Sequence, residues 1–142
     1  MLNKYLAFSQ RSQQKFILNK LSKYELGNTL YPILLTLDSA EKENNKKLGQ
    51  NEIARRLNIN KSLITKSVKT LTSNGYVEIY NDPTNKSKKL LQLTKKGKEL
   101  IPEIRNILDE WRDIFLENFT EEEKNILEKL MEKAYLNIID KF

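Results

Sequence analysis

The sequence predicts a mostly helical domain carrying one small β-hairpin, and three observations lead there. Apolar residues recur at helical spacing along most of the chain. Only four Gly and three Pro interrupt 142 residues, of which 39% are hydrophobic and 31% charged, a balance that fits a folded, helix-rich protein better than a disordered or all-β one. Around residues 76–94 the period changes to alternation, "YVEIY" and then "LLQLT", on either side of a lysine-rich turn, which is the mark of two short paired strands. The length suits one domain of ordinary size.

Taken in order, residues 3–25 place Tyr5, Phe8, Phe16, Leu18 and Leu21 among Gln, Ser and Lys, the pattern of a long helix with an apolar stripe. "LGNT" supplies a glycine stop, and Thr29 or Asn28 can cap the next helix, "LYPILLTLDS". Pro32 then falls in the first turn, where no amide partner is lost. "AEKENNKK" reads as a polar loop, and Leu48 to Gln50 as a short strand or a lead-in. "GQNEIARRL" puts Ile53, Ala54 and Leu57 on one face and stops at "NIN". Asn60 is suited to cap a helix starting at Lys61, and a three-residue break is the length expected between helices crossing at a large angle. Asn74-Gly75 ends that helix. The hairpin follows, with Asp82-Pro83 as its turn signal. Thr94 can cap a long helix carrying Leu100, Ile104, Ile107, Leu108, Trp111, Ile114, Phe115 and Phe119, with Pro102 as an expected kink. "TEEE" at 120–123 is a capping box before a last helix with Ile126, Leu127, Leu130, Met131, Ala134 and Ile138. Two helices joined by a tight turn and followed at once by a hairpin make a winged helix-turn-helix. The expected lobes are 28–97 for the winged helix, with 1–27 and 98–142 as flanking helices.

Charge narrows the function. Residues 49–98 carry eleven cationic and three acidic side chains, a net +8, whereas residues 99–142 carry six and twelve, a net −6, within a total of +6. A merely solvated surface would mix signs along the whole chain; a cationic block followed by an acidic one points to a polyanion facing the middle segment. Zero Cys and zero His remove disulfides, thiol switches, the commonest general base and the usual zinc ligands. Asp109 and Asp113 stand one helical turn apart with no nucleophile beside them, so a catalytic pair is disfavoured against a solvated face. No enzyme activity and no cofactor are expected. No apolar run reaches the ~20 residues that span a bilayer. The first residues also lack the pattern of a signal peptide, so the cytoplasm is the expected compartment.

The helix from Lys61 carries the sharpest signal. Ile64, Val68 and Leu71 at i, i+4 and i+7 point inward, where Ile53, Leu57 and Ile59 can meet them. Ser62, Thr65, Lys66 and Lys69 then form one outward row. From Ala54 to Tyr76 there is no carboxylate, although Arg55, Arg56, Lys61, Lys66 and Lys69 are present. A helix selected only for solubility would pair Glu with its Lys at i, i+4. A duplex accounts for the choice: a helix fits the major groove, hydroxyls and amines reach base edges, and an acid there would meet phosphate. Ser62, Thr65 and Lys66 are assigned to base edges, and Lys61 and Lys69 to the backbone. Lys86, Lys88 and Lys89 at the hairpin tip fit a wing that grips the backbone or leans into the minor groove, against the plainer reading of a solubilising loop. Lys95, Lys96 and Lys98 are open between phosphate binding at a helix start and simple solvation.

With these residues in place, the chain resembles the MarR family of winged helix-turn-helix transcriptional regulators over nearly its whole length. "LSKYELGNTLYPILLTL" is similar to the segment entering the family's second helix, "QNEIARRLNINKSLITKSVKTLTSNGYVE" to its helix-turn-helix, and "LQLTKKGKEL" to its exit from the wing, with "LTKKG" the most specific piece. The resemblance implies a homodimer whose first and last helices interlock, presenting two recognition helices to a palindromic double-stranded DNA site. It also implies a small-molecule effector pocket, for which Tyr5, Phe8, Tyr24, Tyr31 and Trp111 are the available aromatics, although aromatics at helical spacing also build plain core. The wing departs from the family pattern. Asn85 and Ser87 occupy the positions of its Asp-x-Arg arrangement, and Ile79 the position of another arginine. Lysine lacks arginine's planar fork, so the wing is expected to attract phosphate diffusely. The expected function is a sequence-specific DNA-binding regulator, a repressor, with a winged-helix protein-interaction module as the competing reading.

Overall fold

The computed structural model describes residues 1–27 and 29–142; Asn28, one of the two expected caps, lies outside the described residues. Six helices and one hairpin follow in the order α1 (Leu2–Leu21), a 3-10 turn (Ser22–Tyr24), α2 (Leu30–Asn44), α3 (Gln50–Leu57), α4 (Lys61–Ser73), β1 (Val77–Asp82), β2 (Asn85–Leu93), α5 (Lys95–Phe115) and α6 (Glu121–Ile138). By contacts the chain divides into two compact units, Met1–Leu108 and Asp109–Phe142.

The first unit is built around one apolar cluster. Ile17 and Leu21 of α1, Ile33, Leu34 and Leu37 of α2, Ile53 of α3, Ile64, Val68 and Leu71 of α4, Leu91 of β2, and Leu100 and Ile104 of α5 are all buried in it. These positions repeat at three or four residues along each helix, so one stripe per helix faces the cluster. Two local expectations are corrected. The α2 helix runs on to Asn44 through residues read as loop. Ala40 there is buried, its Glu and Lys neighbours are good helix formers, and polarity in that stretch marks an exposed face rather than a break. Asn45, in the left-handed region at φ 48°, ends the helix, its N–H donating to Glu41 O at 2.8 Å. Thr29 does precede α2, but its hydroxyl caps no amide; it pairs instead with the hydroxyl of buried Ser67 on α4 at 2.7 Å.

The hairpin is antiparallel, with Val77 opposite Leu93 and Ile79 opposite Leu91, and its register shifts between Asn81 and Asp82. Leu48, fully buried, adds a third rung, its carbonyl accepting from Leu91 N at 2.9 Å. That bond ties the residue just before α3 to the wing. Thr94 caps α5 as expected: its Oγ1 accepts from Gly97 N at 3.1 Å and donates to Gly75 O at 2.6 Å. Gly75 itself stands at φ +80°, a conformation that suits glycine at the end of α4. One helix runs through Pro102.

In the second unit Trp111 stacks on Phe115 with ring centroids 5.8 Å apart. Thr120 and Glu123 form the expected capping box at the start of α6. No residue of α6 is buried.

One polar group inside the first unit carries a pH prediction. Asp38, 8% exposed, takes a hydrogen bond from Arg105 at 2.9 Å and lies 3.2 Å from Lys42. Burial alone would push its carboxyl up, but the hydrogen bonds and charges of Arg105 and Lys42 outweigh it and hold the group below its ordinary value. A depressed folded-state value means that the stabilisation is fully present above the unfolded carboxylate value of about 3.9 and is lost as pH falls through the lower folded value. The urea midpoint of the wild type is therefore expected to fall in that acid window more steeply than that of Asp38→Asn. Parallel curves for the two proteins would exclude the role.

Candidate nucleic-acid interface

The turn between α3 and α4 is set by asparagines. Asn58 takes the left-handed conformation at φ 53° and closes α3, which asparagine tolerates better than most residues. Asn60 caps α4, its Oδ1 accepting from Leu63 N at 2.8 Å. With α4 anchored through Ile64, Val68 and Leu71, Lys61, Ser62, Thr65, Lys66 and Lys69 all lie exposed on its other side. The structure thus brings the five sequence-assigned residues of this helix onto one solvent-facing surface.

The wing stands beside it. Asp82 Oδ1 accepts from Thr84 N at 2.9 Å and from Thr84 Oγ1 at 2.8 Å, shaping the tip. These bonds, led by the one from the Thr84 backbone, hold the Asp82 carboxyl below its usual range. Asn85 Oδ1 accepts from Ser87 N at 3.2 Å and Ser87 Oγ at 2.7 Å. The two residues at the departed Asp-x-Arg positions therefore hold each other, and neither projects a cation. Lys86, Lys88 and Lys89 are exposed along β2. Between the start of α3, the start of α4 and the wing runs a cleft of about 530 Å³, lined by Gln50, Glu52, Lys61, Asn85, Lys88 and Lys89 among others. Lys61 joins the two lysines of the wing there.

Two residues of α3 were missed by the sequence reading. Gln50 Oε1 accepts a hydrogen bond from Thr65 Oγ1 at 2.8 Å. Glu52 Oε1 lies 3.1 Å from Lys46 Nζ, 3.2 Å from Arg55 Nη2 and 3.4 Å from Arg56 Nη2. The Lys46 bond first, with the charges of Arg56 and Arg55 behind it, holds the Glu52 carboxyl below its ordinary value. The pairing of Glu52 with Arg55 and Arg56 was open to inspection as i, i+3 and i, i+4 spacing. The link from Gln50 to Thr65 joins two helices fifteen positions apart, and no local pattern marks it.

The lysines after the wing divide. Lys96 Nζ donates to Asn74 O at 2.7 Å and stands 4.5 Å from the centre of the Tyr76 ring, so it braces the end of α4. Lys98 lies 3.7 Å from Glu41. Of the five aromatics, Tyr5 and Phe8 are exposed, while Tyr24 and Tyr31 pack half-buried against the core and burial pushes the Tyr31 hydroxyl up. Trp111 belongs to the second unit, as does Asp109, which lies 3.7 Å from Arg112. Among the described residues no acidic cluster could hold a metal, and no helix is long and apolar enough to cross a membrane.

A family model described as a winged helix DNA-binding domain matches residues 12–97. The HTH-type transcriptional regulator SarZ of Staphylococcus epidermidis is 32% identical over 136 residues, 91% of this chain and 86% of that protein. The crystal structure of MarR superposes with a TM-score of 0.81 at 26% identity, covering 97% of each chain. The chain belongs to the MarR family. It is a winged-helix DNA-binding transcriptional regulator and not an enzyme. A mutant MarR from E. coli, complexed with operator DNA, has the same fold at a TM-score of 0.80 and 19% identity, covering 94% of this chain and 92% of that one. In this member of the MarR family α4 is the second helix of the helix-turn-helix, and β1–β2 is the hairpin that follows it.

Proposed function

We propose that the chain is a sequence-specific repressor that acts in the cytoplasm as a homodimer on a palindromic operator. The observation that carries the reading is the two-sided character of α4: Ile64, Val68 and Leu71 buried on one side, Ser62, Thr65, Lys66 and Lys69 exposed on the other, with no carboxylate among them. Ser62, Thr65 and Lys66 read base edges in the major groove, while Lys61 and Lys69 clamp phosphates at its rim. The complex of E. coli MarR with operator DNA supports placing this surface on a duplex. Lys86, Lys88 and Lys89 add phosphate attraction without a fixed minor-groove contact, in keeping with the Asn85–Ser87 pair at the tip. Repression follows from occupancy: a protein seated on a promoter excludes other proteins without any chemistry of its own.

The dimer is supported by surface that a monomer leaves in water. Ile126, Leu130, Met131, Tyr135 and Ile138 of α6 are each about half exposed or more, and contiguous apolar surface on this scale marks an interaction site. A two-fold dimer of helix-turn-helix units places its recognition helices about one DNA turn apart, roughly 34 Å, which is why the operator is palindromic.

The test is selection from random duplexes at low salt, followed by gel-shift titration. Thr65→Ala and Lys66→Ala are expected to relax base preference at single positions, by about 1–3 kcal/mol for a good contact. Lys88→Ala should weaken binding to all duplexes alike and lower the slope of log affinity against log salt by about one unit. If all three variants match the wild type in affinity, preference and slope, the assignment of this face fails. A folded wild type with no duplex affinity at low salt would favour the protein-interaction module instead.

A further inference from the structure

Thr65 does not stand alone on the recognition face. Its hydroxyl carries one proton and two lone pairs, and that proton is donated to Gln50 Oε1 at 2.8 Å. Gln50 is in turn well placed to hold it. It is the first residue of α3 and half-buried beside the wing. Two residues earlier Leu48 is fully buried and bonded to Leu91 of β2, and the first turn of α3 is closed by Ile53 N donating to Gly49 O at 3.2 Å. The carboxamide oxygen is thus offered from a backbone fixed on two sides, the kind of support that keeps a contacting group in one geometry.

We propose that Gln50 fixes the hydrogen-bond polarity of Thr65, so that this position of the recognition helix accepts from an exocyclic amino group and selects adenine or cytosine on the strand it contacts. The inference rests on the reading of α4 as the helix that enters the major groove. A free threonine hydroxyl rotates and pairs with donors and acceptors alike, and so discriminates poorly. With its proton committed to Gln50, the hydroxyl turns lone pairs toward the bases. Adenine N6 and cytosine N4 then donate to it, whereas thymine O4 and guanine O6 oppose it as acceptors. Breaking the bond to Gln50 to satisfy a wrong base would strand the carboxamide oxygen as water leaves the interface. Gln50 is in this sense a positioning residue that acts through Thr65.

The experiment is selection from random duplexes with the full chain as wild type, Gln50→Ala, Gln50→Glu and Thr65→Val, with thermal melts to confirm folding. In the wild type one operator position, lost in Thr65→Val, should favour adenine or cytosine over thymine or guanine on one strand. Gln50→Ala should reduce that preference about fivefold, the value of one hydrogen bond, and leave the other positions as they were. Gln50→Glu should keep it, because a carboxylate accepts the same proton, while binding all duplexes more weakly through repulsion of phosphate. If Gln50→Ala leaves every preference unchanged, the inference is overturned and sequence-specific binding stands. A wild type that favours guanine or thymine at that position, and switches to adenine or cytosine in Gln50→Glu, would overturn it equally, since it would mean that the carboxamide nitrogen faces Thr65. A wild type with no preference at any position would remove the underlying reading and this inference together.

Discussion

Replacing Gly97 with alanine is expected to lower stability by about 2–3 kcal/mol, the upper part of the range for overpacking a filled site, because the clash is with backbone, even though alanine is the better helix former by about 1 kcal/mol. Gly97 lies in the first turn of α5, and a Cβ there would overlap the carbonyl oxygen of Tyr76 and approach Leu93 Cδ2 at 3.2 Å. The Tyr76 backbone has little room to retreat. Its N–H donates to Leu71 O at 3.0 Å, and its carbonyl accepts from Thr94 N at 3.1 Å. Relief must therefore move α5 away from the junction where α4 passes into the wing. In thermal melts the midpoint should drop by roughly 6–12 °C for a chain of this size. Gly27→Ala is the control, because a Cβ at Gly27 meets nothing within 4 Å. Equal melting of Gly97→Ala and wild type would show that the junction yields and that the close approach has no energetic weight.

The same glycine shows what could be read from the chain alone. Gly97 was visible as the end of the "LTKKG" element, but its reason is a contact with a backbone twenty-one residues earlier, which no periodicity displays. Faces decided by spacing were legible: Ile64, Val68 and Leu71 inward, Ser62, Thr65, Lys66 and Lys69 outward, Asn60 and Thr120 as caps. Those signals are local, since a helix converts spacing directly into direction. Partners between elements were not legible. Thr29 looked like a cap because of where it stands, and its hydroxyl went to Ser67 on another helix. Gln50 looked like any polar residue at a helix start until α3 and α4 crossed and set it against Thr65. The end of α2 was misplaced for a different reason: Glu, Lys and Asn after Ala40 read as loop by polarity, while the helix preference of Glu and Lys and one buried alanine kept the helix going.

Leu130→Glu is expected to dissociate the proposed dimer and to lower operator affinity about 100-fold or more, because two linked half-sites gain by factors of 10²–10⁴ over one. Leu130 is 59% exposed at the centre of the apolar stripe on α6, with Ile126, Met131 and Ala134 around it. Covering a leucine is worth about 1.5–3 kcal/mol, a carboxylate in its place resists burial, and two-fold symmetry counts each change twice. A shift of roughly 5 kcal/mol or more raises a dimer dissociation constant by over a thousandfold. Glutamate is a good helix former, so α6 should survive and circular dichroism should be unchanged. Light scattering would then read the monomer mass at concentrations where the wild type reads the dimer. Glu132→Gln, on the opposite side of the same helix, should leave both mass and operator affinity as they are. A Leu130→Glu protein that stays dimeric and binds its operator at wild-type strength would place the two-fold contact elsewhere and leave the exposed stripe of α6 without its proposed partner.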